Sequence, residues 1–90
     1  MEPLTLELLI RNIQSSDESL RAAARDGAGP VGAAAIGPLA AIAAQGELEI
    51  ARAAGRAMQN IVYYAGRPGA GDEAAAVAAE LVQLISAEPP

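Results

Sequence analysis

The stretch Glu47–Ala65, ELEIARAAGRAMQNIVYYA, decides how this chain folds. Ala51, Ala54, Gly55, Met58, Ile61, Val62 and Ala65 recur at the i, i+3, i+4, i+7 spacing of one helical face. Glu49, Arg52, Arg56, Asn60 and Tyr63 occupy the opposite face. The segment therefore reads as one helix of about five turns, at 3.6 residues per turn. The remaining segments read as shorter helices laid against its apolar face.

Composition supports an all-α domain. Apolar residues make up 52% of the 90, yet aromatics make up only 2%, with Tyr63 and Tyr64 the two members. Alanine supplies 23 residues. It is the best helix former and lets helices pack closely, but each buried alanine removes little area from water. The β-branched and aromatic runs that mark strands are missing. A chain of this length buries only about 60–65% of its unfolded surface, so a thin stability margin is expected.

The net charge is −5, from 11 acidic and 6 basic residues, every basic one an arginine. That balance lacks the basic footprint of a nucleic-acid binder and disfavours anionic membrane surfaces. With no cysteine or histidine there is no disulfide framework, thiolate chemistry or imidazole ligand. The N-terminal MEPLTLELLIRN carries acids where a signal peptide needs bases. The longest uncharged run, 27–45, is broken by Gly27, Gly29, Pro30, Gly32, Gly37 and Pro38 and is poor in large apolar residues for a span. A soluble, cytoplasmic protein is expected, with no cofactor.

Taken in order, the first helix is predicted at 3–14, with Pro3 at its first position and Leu6, Leu9, Ile10 and Ile13 inward. Glu7 and Arg11 have favourable i,i+4 spacing. Ser15 or Ser16 could cap a second helix over 17–26, with Leu20, Ala23 and Ala24 inward, Asp17 and Arg21 paired, and Gly27 just past its end. A third helix is predicted over 31–44, with Ile36, Leu39, Ile42 and Ala43 buried. Gly37-Pro38 should kink it or restart it with Pro38 first. After the loop 66–72, Asp72 could cap a last helix over 73–86. Its inward stripe would be Ala74, Val77, Ala78, Leu81, Leu84 and Ile85.

Two segments restate each other at an offset of 29 to 30 residues: Ile13 to Ala24 and Ile42 to Ala54. Short helices with a repeating aliphatic–turn–acid–alanine pattern point to an α-solenoid. Asp17-Glu18-Ser19-Leu20-Arg21-Ala22-Ala23-Ala24 resembles the D-x-x-V-R-x-x-A start of a HEAT-repeat first helix. Ala35-Ile36-Gly37-Pro38-Leu39 resembles the A-I-x-x-L of the second. In the next unit Ile50, Ala53, Ala54 and Ala57 keep the pattern, and Arg52 falls one position late. The resemblance, to HEAT and more loosely armadillo repeats, implies five helices in stacked antiparallel hairpins. A leading helix (3–14) would precede unit one (17–45) and unit two (47–86). It also implies a protein-binding scaffold whose second helices line the partner-binding side. The metal and lyase sites of some family members have no counterpart residues here.

No catalytic constellation is present in the sequence. The loop Gly66-Arg-Pro-Gly-Ala-Gly-Asp72 lacks the Gly-Lys-Ser/Thr ending of a phosphate loop and reads as a hairpin connection. Asp72-Glu73 lacks the ligand spacing of a calcium loop. The candidate partner surface is Arg52, Arg56, Asn60, Tyr63, Tyr64 and Arg67, residue types enriched at interface hot spots. A solvated face is the plainer reading of that stripe. An anion or phosphometabolite site built from Arg52, Arg56, Tyr63 and Arg67 is the alternative function. The first helix has more aliphatics than one stripe can bury. The face of the last helix with Ala76, Ala79, Gln83 and Ser86, flanked by Val82, is nearly uncharged. We therefore expect self-association, a two-fold homodimer, with a compact monomeric bundle as the competing arrangement.

Overall fold

The computed structural model describes residues 4–87, with side chains as far as Ile85. Pro3 and the side chain of Ser86 therefore lie outside the described residues. Among these residues the chain is helical without a strand: α1 (Leu6–Ile13), α2 (Glu18–Asp26), α3 (Ile36–Gln45), α4 (Leu48–Ala65) and α5 (Gly71–Ala87). Two 3₁₀ turns, Gly29–Val31 and Ala33–Ala35, lead into α3.

Helix α4 is the hub. It packs against α3, α2, α5, α1 and the first 3₁₀ turn. Helix α2 lies against α1 and α4, and α3 against α4 and α5. The pairing of 17–26 with 31–44 expected inside unit one is not among the principal contacts. The fold measures 38 × 33 × 17 Å. Its short dimension suits two helix layers, given axes about 8–10 Å apart. The radius of gyration, 12.7 Å, is close to the ~12 Å expected for a compact chain of this length.

Local chemistry sets the helix starts. Thr5 caps α1, its Oγ1 accepting from Leu8 N at 3.1 Å. Asp17, rather than either serine, caps α2 by accepting from Ser19 N at 2.8 Å. Ser15 Oγ instead accepts from Asp17 N at 3.0 Å. Carboxylate capping of Ser19 leaves Asp17 unpaired with Arg21, and no ion pair joins Glu7 to Arg11 among the described residues.

Other predicted boundaries shift for identifiable reasons. The expected 31–44 helix breaks at Gly32, whose φ of +85° suits only glycine comfortably. Helix α3 restarts at Ile36, two residues before Pro38. Pro38 then sits in the first turn, where its missing N–H has no intrahelical acceptor to lose. Gly27 does close α2, but at φ −95° and not in the left-handed region. Helix α5 starts at Gly71, so Asp72 lies within its first turn and is not its cap.

The core joins α1, α3, α4 and α5 through Leu9, Ile13, Ile36, Leu39, Ile61 and Val77, with buried alanines between them. The inward face of α4 is rotated from the predicted one. Ala53, Ala54, Ala57, Ile61 and Ala65 are buried, whereas Val62 is 44% exposed and Met58 and Gly55 are half-buried. The periodic pattern allowed either flank. The approach of α2 and the first 3₁₀ turn covers the alanine flank, where small side chains permit close helix contact. For the same reason Leu20 and Ala23 of α2 face solvent while Ala24 and Ala28 are buried. On α5, Ala78 and Ile85 are exposed, contrary to the predicted stripe.

Candidate functional site

The predicted Arg/Tyr stripe of α4 divides into two places. Arg52 and Arg56 line a groove between α2 and α4 of about 270 Å³. Across it stand Arg21 and Arg25, and Glu18 and Glu49 close one end; Ala22 and Ala53 complete the lining. Four of the chain's six arginines thus meet in one groove of a protein whose net charge is −5.

The two walls are copies of one string. Glu18-x-x-Arg21-Ala-Ala-x-Arg25 on α2 recurs as Glu49-x-x-Arg52-Ala-Ala-x-Arg56 on α4, 31 positions later. Spacing of i, i+3, i+7 places Glu and both arginines of each string on one helix face. Arg21 and Arg25 escaped the sequence reading because it set the repeat offset at 29 to 30. A register slip of one or two residues hides a string that was visible once both copies were aligned on Glu.

The groove is held by one wall and open at the other. The Arg21 side chain is only 13% exposed. It donates to Ser15 O at 2.8 Å and reaches Glu49 Oε2 at 3.3 Å, tying α2 to α4. Arg25 Nε lies 3.2 Å from Asp26 Oδ1. Arg52 and Arg56 are exposed and form no ion pair or side-chain hydrogen bond with another described residue. Each i,i+4 arginine pair carries a like-charge cost of about 0.2–0.5 kcal/mol in an isolated helix. An incoming oxyanion would relieve it.

The other stripe residues, Asn60, Tyr63, Tyr64 and Arg67, line a second, more open cleft of about 600 Å³ together with Asp26, Gly27, Gly29 and Pro30, and three of them also serve the fold. Asn60 Nδ2 donates to Arg25 O at 2.7 Å, satisfying a carbonyl in the last turn of α2. Asn60→Ala should lower stability by ~1 kcal/mol, the usual net value of such a bond. A shifted urea midpoint at unchanged slope is expected; an unmoved midpoint would show that the bond carries no stability. Tyr64 packs on Gly29, and the Arg67 guanidinium lies 3.7 Å from the centroid of its ring. Arg67 also donates to both carboxylate oxygens of Glu73, at 2.8 and 3.1 Å. That bond, more than the charge itself, holds the Glu73 carboxyl below its ordinary range and raises Arg67. Arg67 is thus committed to joining α4 to α5. Tyr63, 81% exposed, borders a different feature.

That feature is an apolar edge along α4 and α5. Gly55, Met58, Val62, Tyr63 and Leu81 line a shallow depression. Val82 and Ile85, 59% and 75% exposed, continue it along α5. The predicted self-association residues Ala76, Ala79, Val82 and Gln83 are all exposed. The large apolar groups, however, cluster on the Val82 side of α5 and not around Ala76 and Gln83. On the first helix Leu9 and Ile13 are buried and Leu8 and Ile10 half-buried, as is Leu4 just before it, but Leu6, predicted inward, is 36% exposed because it lies at the helix start, clear of the neighbouring helices.

Among the described residues no three metal-ligating side chains come together, and no polar or charged side chain is buried. No helix of the described chain is long and apolar enough to cross a membrane. Comparison with protein-family models, with curated proteins and with solved structures finds no match to this chain.

Proposed function

We propose that this chain is a small, non-enzymatic, HEAT-like helical-repeat module that mediates protein–protein interaction. The observation that carries this reading is the apolar edge of α4 and α5. Val62, Val82 and Ile85 stand exposed along it. Exposed apolar surface of this kind marks an interaction site.

Part of the contact pattern supports the repeat reading: first helices α2 and α4 lie side by side, second helices α3 and α5 likewise, and α4 packs on α5, while α2 and α3 of the first unit do not form a principal contact. At the 31-residue offset Arg52 takes the place of Arg21, although the motif's aliphatic and alanine, Leu20 and Ala24, match Ile50 and Ala54 at an offset of 30. Arg21 itself ties one unit to the next through Glu49. A two-fold dimer through the α4–α5 edge is the simplest closed assembly.

The test is sedimentation of the chain at tens of micromolar, together with capture of proteins on the immobilised chain. Self-association, or a captured partner, that disappears in Val82→Glu/Ile85→Glu is the expected result. Both positions are exposed, so the variant should remain folded. A monomer that captures no protein would overturn the reading. A second reading, an anion-binding accessory role, is favoured by the four-arginine groove. Its arginines are then Arg21, Arg25, Arg52 and Arg56, which line one groove, whereas Arg67 lies in the separate cleft with Tyr63 and Tyr64.

A further inference from the structure

We propose that the groove between α2 and α4 binds an acidic peptide segment of a partner protein, through paired carboxylates one helical turn apart. The inference rests on the interaction-module reading of the chain. It places the contact on the first-helix layer, away from the apolar edge of α4 and α5.

Geometry selects the ligand. Each wall presents two arginines four residues apart, about 6 Å along the helix axis at 1.5 Å per residue. Carboxylates at i and i+4 of a peptide helix stand about 5–6 Å apart, and those at i and i+2 of an extended peptide about 6.6 Å apart. Either spacing can place one carboxylate between Arg21 and Arg52 and the next between Arg25 and Arg56. Guanidinium forks accept a carboxylate with two parallel hydrogen bonds, which fixes its orientation as well as its charge.

Charge selects against other anions. Glu18 and Glu49 close one end of the groove. They repel a polyphosphate laid along it, but tolerate a peptide whose neighbouring residue is neutral or basic. The two arginines of each wall stand about 6 Å apart along the helix axis. One phosphate is too short to engage four arginines spread along two walls. Ala22 and Ala53 in the lining leave room for a ligand's backbone or methylenes. Glu49 already holds Arg21 in position, so part of the ordering cost is met before the ligand arrives.

The probe is a fluorescein-labelled, alanine-based helical peptide carrying two Glu residues at i and i+4, titrated with the full chain at low salt. Binding should weaken as salt rises, because Arg52 and Arg56 are exposed to solvent. Arg52→Gln/Arg56→Gln should weaken it at least about tenfold, the loss of one charge-assisted contact or more. Arg11→Gln, which removes one positive charge on α1 where the double variant removes two, should leave it within about twofold. The reversed pair Arg52→Glu/Arg56→Glu should take up the matching peptide with Lys in place of Glu. The inference is overturned if the wild type ignores the Glu peptide. It is also overturned if Arg11→Gln weakens binding as much as the double variant, or if millimolar inorganic phosphate displaces the peptide more than chloride at equal ionic strength does. A chain that captures a partner through α4 and α5 yet ignores the Glu peptide would sink this inference and leave the module reading standing.

Discussion

Ile61→Ala is expected to destabilise the domain by about 2–5 kcal/mol, the range for truncating a fully buried aliphatic side chain. Ile61 is completely buried, on the helix that touches every other one. Its neighbours on α4 are Ala54, Ala57 and Ala65, which are too short to move into the space it vacates. Domains of this size have a total stability of about 5–13 kcal/mol at ~0.05–0.15 kcal/mol per residue. An alanine-rich core belongs at the low end, so the substitution should leave a barely folded protein. Thermal unfolding would show it, at roughly 4–8 °C for each kcal/mol in a domain of this length. Val62→Ala is the control. Periodicity alone placed Val62 on the same inward face as Ile61, but it is 44% exposed. Its truncation should cost well under about 1 kcal/mol, since much of the side chain stays in water. Equal losses at the two positions would contradict the rotation of α4.

Gly29→Ala should cost about 1–3 kcal/mol, although alanine is ordinarily the more stabilising residue. A Cβ on Gly29 would lie 2.8 Å from Tyr64 Cβ and 2.9 Å from Tyr64 Cγ. Tyr64 Cβ is fixed to the α4 backbone, so a rotamer change can move Cγ but cannot clear the closer contact. Relief would require the first 3₁₀ turn to lift away from α4, loosening a main contact of the hub helix. Gly37→Ala is the matched control. A Cβ there meets nothing within 4 Å, and its φ is negative. It should be neutral or stabilise by about 0.4–1 kcal/mol by restricting the unfolded chain. Urea denaturation of the pair decides the matter: similar midpoints would mean that Tyr64 and Gly29 are not in close contact.

What the sequence determined by itself is the set of helices and most of what fills the core. Five helical segments follow from period and composition, because both are local properties written along each segment. Leu9, Ile13, Ile36, Leu39, Ile61 and Val77 could be read as core because a large aliphatic residue at a periodic position has few other places to go. The absence of histidine and cysteine, and the clustering of charge on α4, were equally plain. Only the tertiary structure decided which flank of α4 turns inward. Alanine and valine at neighbouring periodic positions satisfy the pattern equally, and the choice falls to whichever neighbour packs closest. The same holds for the site. Arg52 and Arg56 were legible as an exposed pair, but Arg21 and Arg25 joined them only when α2 came to lie beside α4. Arg67 and Asn60 fall in a separate cleft for the same reason, held there by Glu73 and by the carbonyl of Arg25. Spacing along one helix is a local quantity, whereas the partner of a long polar side chain is set by packing between helices.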